Sequence, residues 1–294
     1  MGRSRAASFL SALRPRQWAK NVFVFAALVF AGRLADPTAV LRVCGALGVF
    51  CVLSSAVYLI NDVRDREADR RHPQKRSRPI AAGEIAAGAA SALSTVLAVL
   101  ALFAAFGLSK GLGQVAAAYF VLNLGYSFGL KRIVILDVMM VAAGFLLRAL
   151  AGALVLDVAI SRWLVLCTGL LALFLGFVKR RQEIAAMEGE SATRPILREY
   201  SLPFLDQMIA VVTGATVVAY ALYAFSPEVA QKLGTRNLGL TIPFVLFGIF
   251  RYLYLVHQRG VGENPTSVVL TDLPLLLDVA LWGLAVICAL YVWR

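Results

Sequence analysis

Nine stretches of the chain are long and apolar enough to cross a bilayer, at 21–36, 39–60, 85–107, 112–130, 133–156, 161–178, 204–226, 237–257 and 273–293. A helix needs roughly 20 predominantly apolar residues to span the hydrocarbon core. The pattern predicts an all-α polytopic membrane protein with nine transmembrane helices. Its first run is the shortest, with a clean apolar part from Val22 to Ala31 bounded by Asn21 and Arg33. Read as a signal peptide, that run would account for its basic flank but for none of the eight that follow. A chain of 294 residues that is 60% hydrophobic and only 16% charged is too apolar for a soluble domain.

The formal net charge of +12 would point a soluble protein toward nucleic acid. Here the distribution of charge decides otherwise. Laid against the nine runs, 21 basic residues fall on one side of the membrane and 7 on the other, with Arg148 inside the fifth run. The positive-inside rule then puts the N-terminus in the cytoplasm and the C-terminus outside, in a multi-pass plasma-membrane protein with no nucleic-acid partner. Cys44, Cys51, Cys167 and Cys288 sit within apolar runs without C-x-x-C pairing and read as small buried hydrophobes. Residues 1–20, with Phe9, Leu10, Leu13 and Trp18 among basic residues, suit an interfacial segment. With no clear repeat or linker, 21–294 reads as one helical domain.

Against this apolar background, residues 61–85, NDVRDREADRRHPQKRSRPIAAGEI, are dense in charge. Asn61, Asp65 and Asp69 recur at four-residue intervals and Asp62 stands three and seven residues before the latter two, so one helical face would carry all four. Like charges so placed repel and call for a cation. Hard oxygen ligands at a membrane interface favour Mg²⁺, which keeps water and is shared with phosphate. The bland alternative is a solvated loop in which Asp62 pairs with Arg66 and Glu67 with Arg71, each worth about 0.3–0.5 kcal/mol. Favouring the ligand site, Lys75, Arg76 and Arg78 follow the helix-breaking Pro73 and can fold back over phosphate oxygens.

The pattern N-D-x-x-D-x-x-x-D followed by K-R-x-R-P-I-A-x-G, at the cytoplasmic end of the second run, resembles the first signature of the UbiA superfamily of intramembrane prenyltransferases. The resemblance implies that the stretch holds Mg²⁺ and a diphosphate. Aromatic prenyltransferases of that superfamily carry a second Asp-rich motif after the sixth helix. This chain instead reads KRRQEIAAMEGE, with Lys179, Arg180 and Arg181 ahead of Glu183 and Glu188. Bases bind phosphate directly where carboxylates need a bridging metal. Together with RPRQWAKN, AVYLINDVRD, LGYSFGLK, LLRALAG and VKRRQEI, this departure is similar to the decaprenyl-phosphate phosphoribosyltransferase branch, over about residues 13–200. Where members of that branch carry K-R-Y-A-E-L, Arg181 stands in place of the tyrosine.

The resemblance implies transfer of 5-phosphoribose from phosphoribosyl pyrophosphate to a polyprenyl phosphate for lipid-linked arabinose, with the motifs after the second and sixth runs closing over one cytoplasm-facing cavity. Asn61, Asp62, Asp65 and Asp69 would organise Mg²⁺ on the leaving pyrophosphate. The catalytic candidates are Asp62, Asp65 and Lys179. Lys20, Lys75, Arg78, Lys131, Lys179 and Arg180 are candidates for phosphates of donor and acceptor, with Asn61 among the substrate-binding residues, Tyr126 for the sugar or phosphate, and Glu183 for a ribose hydroxyl or for orienting a neighbouring base. For the bases the structural alternative is charge that sets topology, and for Tyr126 it is an interfacial aromatic belt. A homo-oligomer is compatible with all of this.

Within the membrane, Asn123, Asp137 and Arg148 are costly polar groups that need a cavity or a partner. Asp137 and Arg148 share a helical face but lie roughly 16 Å apart along the axis, so Arg148 must find another partner. His72 and His257 have no metal-ligand spacing and receive no role. Two rival functions remain. An aromatic-acceptor prenyltransferase would use the same acidic face, and the missing second Asp motif counts against it. A transporter or lipid-binding scaffold would spread its charges across the bilayer, whereas these gather at one end.

Overall fold

The structure, a computed structural model, describes residues 4–72, 75–185, 195–260 and 265–292. It is helical throughout, with α1 (Arg5–Leu13), α2 (Ala26–Phe30), α3 (Pro37–Arg64), α4 (Arg66–Arg71), α5 (Ala87–Leu108), α6 (Lys110–Phe128) and α7 (Leu136–Val155). The order continues with α8 (Arg162–Ala185), α9 (Leu202–Phe225), α10 (Pro227–Leu233), α11 (Ile242–Gln258), α12 (Pro265–Thr271) and α13 (Leu273–Ile287).

Seven helical segments among the described residues are long and apolar enough to cross a membrane, not nine. The expected run at 112–130 falls on α6, where Gln114, Asn123 and the glycines dilute the apolar character of a 19-residue helix. The run at 21–36 falls on a 3₁₀ segment, Pro15–Phe25, followed by the five residues of α2. Gln17, Lys20 and Asn21 interrupt its apolar face, and Asn21 is buried for its hydrogen bonds.

The chain divides into two compact units: Met1–Leu28, Asp36–Met140 and Leu147–Ala159 form the first, and Val29–Ala35, Val141–Leu146 and Ile160–Arg294 the second. In the first, α3 packs chiefly on α5, and also on α6, α1 and the 3₁₀ segment. Asp36 starts α3 by accepting from the backbone of Thr38 and Ala39 at 3.0 and 3.1 Å, with Pro37 in the first turn. On α5 the buried residues are Ala90, Ser94, Ala98, Ala101 and Ala105, a small-residue stripe that lets the two backbones approach. Ser94 Oγ takes advantage of that closeness, donating to the Ala56 carbonyl at 2.8 Å. Ala12 of α1, with Phe9 and Leu13 against it, joins Leu59, Ile80, Ile85 and Ala90 in one apolar cluster, so the N-terminal segment packs into this unit's core.

In the second unit α8 pairs with α9, and α11 with α13. Its apolar core includes Tyr220, Tyr223, Leu238 and Leu290. The Tyr220 hydroxyl is satisfied there by Thr241 Oγ1 at 2.7 Å and by the Trp282 indole N–H at 3.0 Å.

Candidate functional site

The acidic motif lies where α3 ends. Asp65, with φ −89° and ψ 6°, caps α3 and separates it from α4. The single unbroken helix expected for Asn61, Asp62, Asp65 and Asp69 is thus interrupted at its centre, because a ψ near zero turns the chain out of the helical path. Two backbone bonds bridge the break, Asp65 N to Asn61 O at 2.9 Å and Asp69 N to Asp65 O at 2.8 Å. The side chains sort by depth: Asp62 and Asp69 are 2% and 5% exposed, and Asp65 is more open.

Protein cations sit on every one of these carboxylates. Arg14 donates to Asp62 Oδ1. Arg78 reaches Asp62 Oδ1 at 3.2 Å and Asp69 Oδ2 at 2.6 Å. Lys131 grips both oxygens of Asp65 at 2.6 and 2.7 Å and touches Asn61 Oδ1 at 3.4 Å, where Ser127 Oγ also donates. Of the local pairs of the solvated-loop alternative, Asp62–Arg66 gives way to the longer-range contacts with Arg14 and Arg78, and Glu67–Arg71 to contacts nearer still in the chain. Glu67 bonds instead to Arg66 at 2.9 Å and Arg70 at 3.2 Å, and the Arg66 hydrogen bond, aided by the charge of Arg70, holds its carboxyl below the usual range.

In sequence Arg14 is one of the basic residues flanking the first apolar run, and spacing alone gives it no role in the motif. It ends α1 in the left-handed region, φ 54° and ψ 57°, where glycine is the usual residue and another side chain costs about 1 kcal/mol. Its guanidinium lies 5.0 Å from the centre of the Tyr58 ring. The sequence signal for it was the R-P-R-Q-W-A-K-N stretch. Lys20 on the 3₁₀ segment, Lys75 on the turn Lys75–Ser77 and Tyr126 beside Ser127 are half-buried, and Pro73 lies outside the described residues.

Among the described residues no three acidic, histidine or cysteine side chains are gathered closely enough to hold a metal by themselves. The donor set nevertheless fits Mg²⁺ that arrives with phosphate. Asp62, Asp65 and Asp69 offer hard oxygens that would hold the ion, and Arg14, Arg78 and Lys131, which neutralise them here, are donors that would suit phosphate oxygens.

In the second unit, residues 179–185 are helical, the last turns of α8 rather than a loop, and Glu188 and Arg194 lie outside the described residues. Helical phase separates the three bases. Lys179 is 41% exposed at its side chain, 3.8 Å from Glu183 Oε1. Arg180 is only 4% exposed and is bonded to Glu183. Arg181 donates to Asp206 of α9, to which His257 Nε2 also lies at 3.3 Å, while Gln182 donates to the Val256 carbonyl at 2.8 Å. The arginine in place of tyrosine therefore has its own acidic partner.

Arg148 finds the partner that Asp137 could not be. Its Nε donates to Asn21 Oδ1 at 2.7 Å and a terminal nitrogen to the Tyr119 hydroxyl at 2.8 Å, with the guanidinium 4.7 Å from the Tyr119 ring centre. Asn123 donates to the Tyr119 carbonyl at 2.7 Å, and Asp137 is fully buried.

Set beside known proteins, residues 21–270 match the model of the UbiA prenyltransferase family. The chain belongs to that family. Among similar UbiA-family relatives, the decaprenyl-phosphate phosphoribosyltransferase of Corynebacterium glutamicum is 36% identical over 98% of this chain and 88% of its own. The enzyme of the same name from Mycolicibacterium smegmatis is 37% identical over 96% of this chain and 92% of its own. A solved UbiA homolog from Archaeoglobus fulgidus, bound to GPP and Mg²⁺, superposes with a TM-score of 0.73 over 97% of this chain and 100% of its own. At 17% identity, that likeness speaks to the fold alone.

Proposed function

We propose that this UbiA-family chain transfers 5-phosphoribose from phosphoribosyl pyrophosphate to a polyprenyl phosphate of the decaprenyl type and releases pyrophosphate. The observation that carries the proposal is 36–37% identity, across nearly the whole chain, to enzymes named for decaprenyl-phosphate phosphoribosyl transfer. The second motif agrees, since Lys179, Arg180 and Arg181 suit phosphate where aromatic prenyltransferases place aspartates. Aromatic prenylation is the weaker reading for the same reason.

Asn61, Asp62, Asp65 and Asp69 are assigned to Mg²⁺, which would supply charge neutralisation on the leaving pyrophosphate. The chain's own part is electrostatic and positional. Arg78 and Lys131 exchange a carboxylate for a phosphate oxygen when donor enters, keeping the number of ion pairs constant while the ligand is ordered. Lys20 and Lys75 add positive charge, Tyr126 is assigned to a sugar hydroxyl or a phosphate oxygen, and Glu183 to a ribose hydroxyl or to orienting a neighbouring base. The acceptor phosphate is ionised at neutral pH and needs no general base. Held opposite the pyrophosphate, it attacks ribose C1 in one displacement with inversion. Lys179 and Arg180 are assigned to phosphate contacts without a second metal. The asymmetry of basic residues supports a cytoplasmic N-terminus and a site that faces the cytoplasm.

Purified protein with Mg²⁺ and labelled phosphoribosyl pyrophosphate should transfer label to a polyprenyl monophosphate and liberate pyrophosphate. Prenylation of 4-hydroxybenzoate from a prenyl diphosphate, without ribosyl transfer, would overturn the assignment.

A further inference from the structure

On the outer flank of α3, at the end that carries the acidic motif, lies a cleft of about 390 Å³ whose basic wall is Arg64, Lys131 and Arg132 and whose apolar wall is Ile60, Val63 and Phe128. The geometry points to this cleft as the docking site of the acceptor's phosphate, with the isoprenoid tail lying along the exposed faces of α5 and α6. The inference rests on the phosphoribosyl-transfer reading and names where its lipid substrate is held.

The cations of this cleft differ from those inside the motif. Arg14 pairs with Asp62, and Arg78, assigned to the donor's phosphates, pairs with both Asp62 and Asp69. Arg64 and Arg132 make no ion pair among the described residues. Arg64 is held instead over the Phe128 ring, 4.5 Å from its centre, so its guanidinium is positioned before any ligand arrives. Lys131 belongs to both places: it lines the cleft while its Nζ bridges Asp65 and Asn61. An anion seated between Arg64 and Arg132 therefore sits beside the side chain that links the cleft to the motif.

The apolar wall says that the anion has a tail. Ser91 of α5 lines the cleft, and Thr95 and Val99 follow on the same helical face at four-residue steps. Beyond them Phe103 and Phe106 are 80% and 50% exposed. On α6, Val121 and Phe128, two turns apart, are also open. A free pyrophosphate has no use for such a surface, and a chain of isoprene units does.

Bilayer phospholipids also join phosphate to an apolar tail, but the charges favour the acceptor. Arg64, Lys131 and Arg132 against Asp65 leave the cleft about two charges positive, matching a phosphate monoester, which carries about −1.5 to −2 at neutral pH. A phosphatidyl diester carries only one negative charge.

Two measurements test the assignment, one of them independent of turnover. Wild-type protein in phosphatidylcholine vesicles is exposed to a photoactivatable isoprenyl monophosphate, and labelled peptides are mapped. Labelling of the segments around Ile60–Arg64 and Phe128–Arg132, suppressed by excess polyprenyl monophosphate and not by phosphatidylglycerol, is the expected result. Labelling confined to other helices, or equal competition by phosphatidylglycerol, would overturn the proposal even if the protein proved to have another activity. In the second measurement, Arg64→Gln and Arg132→Gln together should raise KM for the polyprenyl phosphate about tenfold or more, with KM for phosphoribosyl pyrophosphate unchanged. An unchanged lipid KM, or an equal rise in both, would also overturn it.

Discussion

Arg148 of α7 and Asn21 of the 3₁₀ segment are joined by a 2.7 Å hydrogen bond between two buried side chains. Asn21 completes the contact by donating to Ser54 Oγ and Cys51 Sγ of α3, each at 3.4 Å. One amide thereby ties three elements of the first unit together and accepts a hydrogen bond from a buried guanidinium. Asn21→Leu keeps the volume but leaves Arg148 short of an acceptor. It should destabilise the protein by about 1.5–3 kcal/mol, the worth of a hydrogen bond to a charged group. Thermal unfolding in detergent measures this, and an unchanged Tm would remove the network from any account of the fold.

The neighbouring contact is steric. A Cβ on Gly152 would lie 1.9 Å from the Val24 carbonyl oxygen, a backbone atom that cannot swing aside. Gly152→Ala should therefore prise α7 from the 3₁₀ segment and greatly lower the yield of folded protein. Gly48→Ala is the control: nothing lies within 4 Å of its added Cβ, and in a helix alanine should be neutral or stabilising by about 0.5–1 kcal/mol. Equal yields for the two variants would contradict the close approach.

These contacts mark how far the sequence could be read. Apolar runs of helical length, the capping Asp36 and the carboxylate spacing are local patterns, and local patterns survive in one dimension. One partner of Asp62 is Arg14, 48 positions away, and one partner of Arg148 is Asn21, 127 positions away. Such pairings depend on which helices pack together, for which spacing gives no sign. The same limit applies after the sixth apolar run, where Lys179 and Arg180 looked equivalent until α8 turned one outward and buried the other.

Asp65 is the motif carboxylate most open to solvent, 28% exposed at its side chain. Asp65→Asn keeps an oxygen for Lys131 and should leave the unfolding temperature almost unchanged. Turnover should fall by about 10²-fold or more if the charge supports departure of pyrophosphate. Near-normal turnover, or a wild-type enzyme indifferent to chelation, would reduce the stretch to an ion-paired interface.

Asp272 supplies a pH dependence with a definite sign. It caps α13 through the Leu275 backbone N–H at 3.0 Å and receives both Arg251 donors, at 3.1 and 2.8 Å. The Arg251 hydrogen bonds hold its carboxyl below the usual range. Its contribution to stability is thus fully present above the unfolded-state value of about 3.9 and is lost as pH falls through the lower folded-state value. Asp272→Asn retains a capping oxygen and removes the charge. Wild type should be the more stable at pH 6, with the gap closing as the solution is acidified toward pH 3. A gap that stays constant would place the stabilisation in the cap alone.

The two bases at the end of α8 should separate by readout. Lys179 is half-exposed and its Glu183 contact is long, at 3.8 Å, so Lys179→Met should leave the unfolding temperature unchanged. If Lys179 holds a substrate phosphate, losing a solvent-screened charge of this kind weakens binding by about 1 kcal/mol, a several-fold rise in one KM. Arg180 is buried against Glu183, and Arg180→Met takes the closer of two cations from that partly buried carboxylate, leaving Lys179 at 3.8 Å. Destabilisation by about 1–3 kcal/mol is expected. Arg180→Met,Glu183→Gln should recover most of it, because the charge that Arg180 neutralised is gone. If Arg180→Met instead unfolds normally and raises the KM for a phosphate substrate, or Lys179→Met is kinetically silent, the phosphate contact belongs to Arg180.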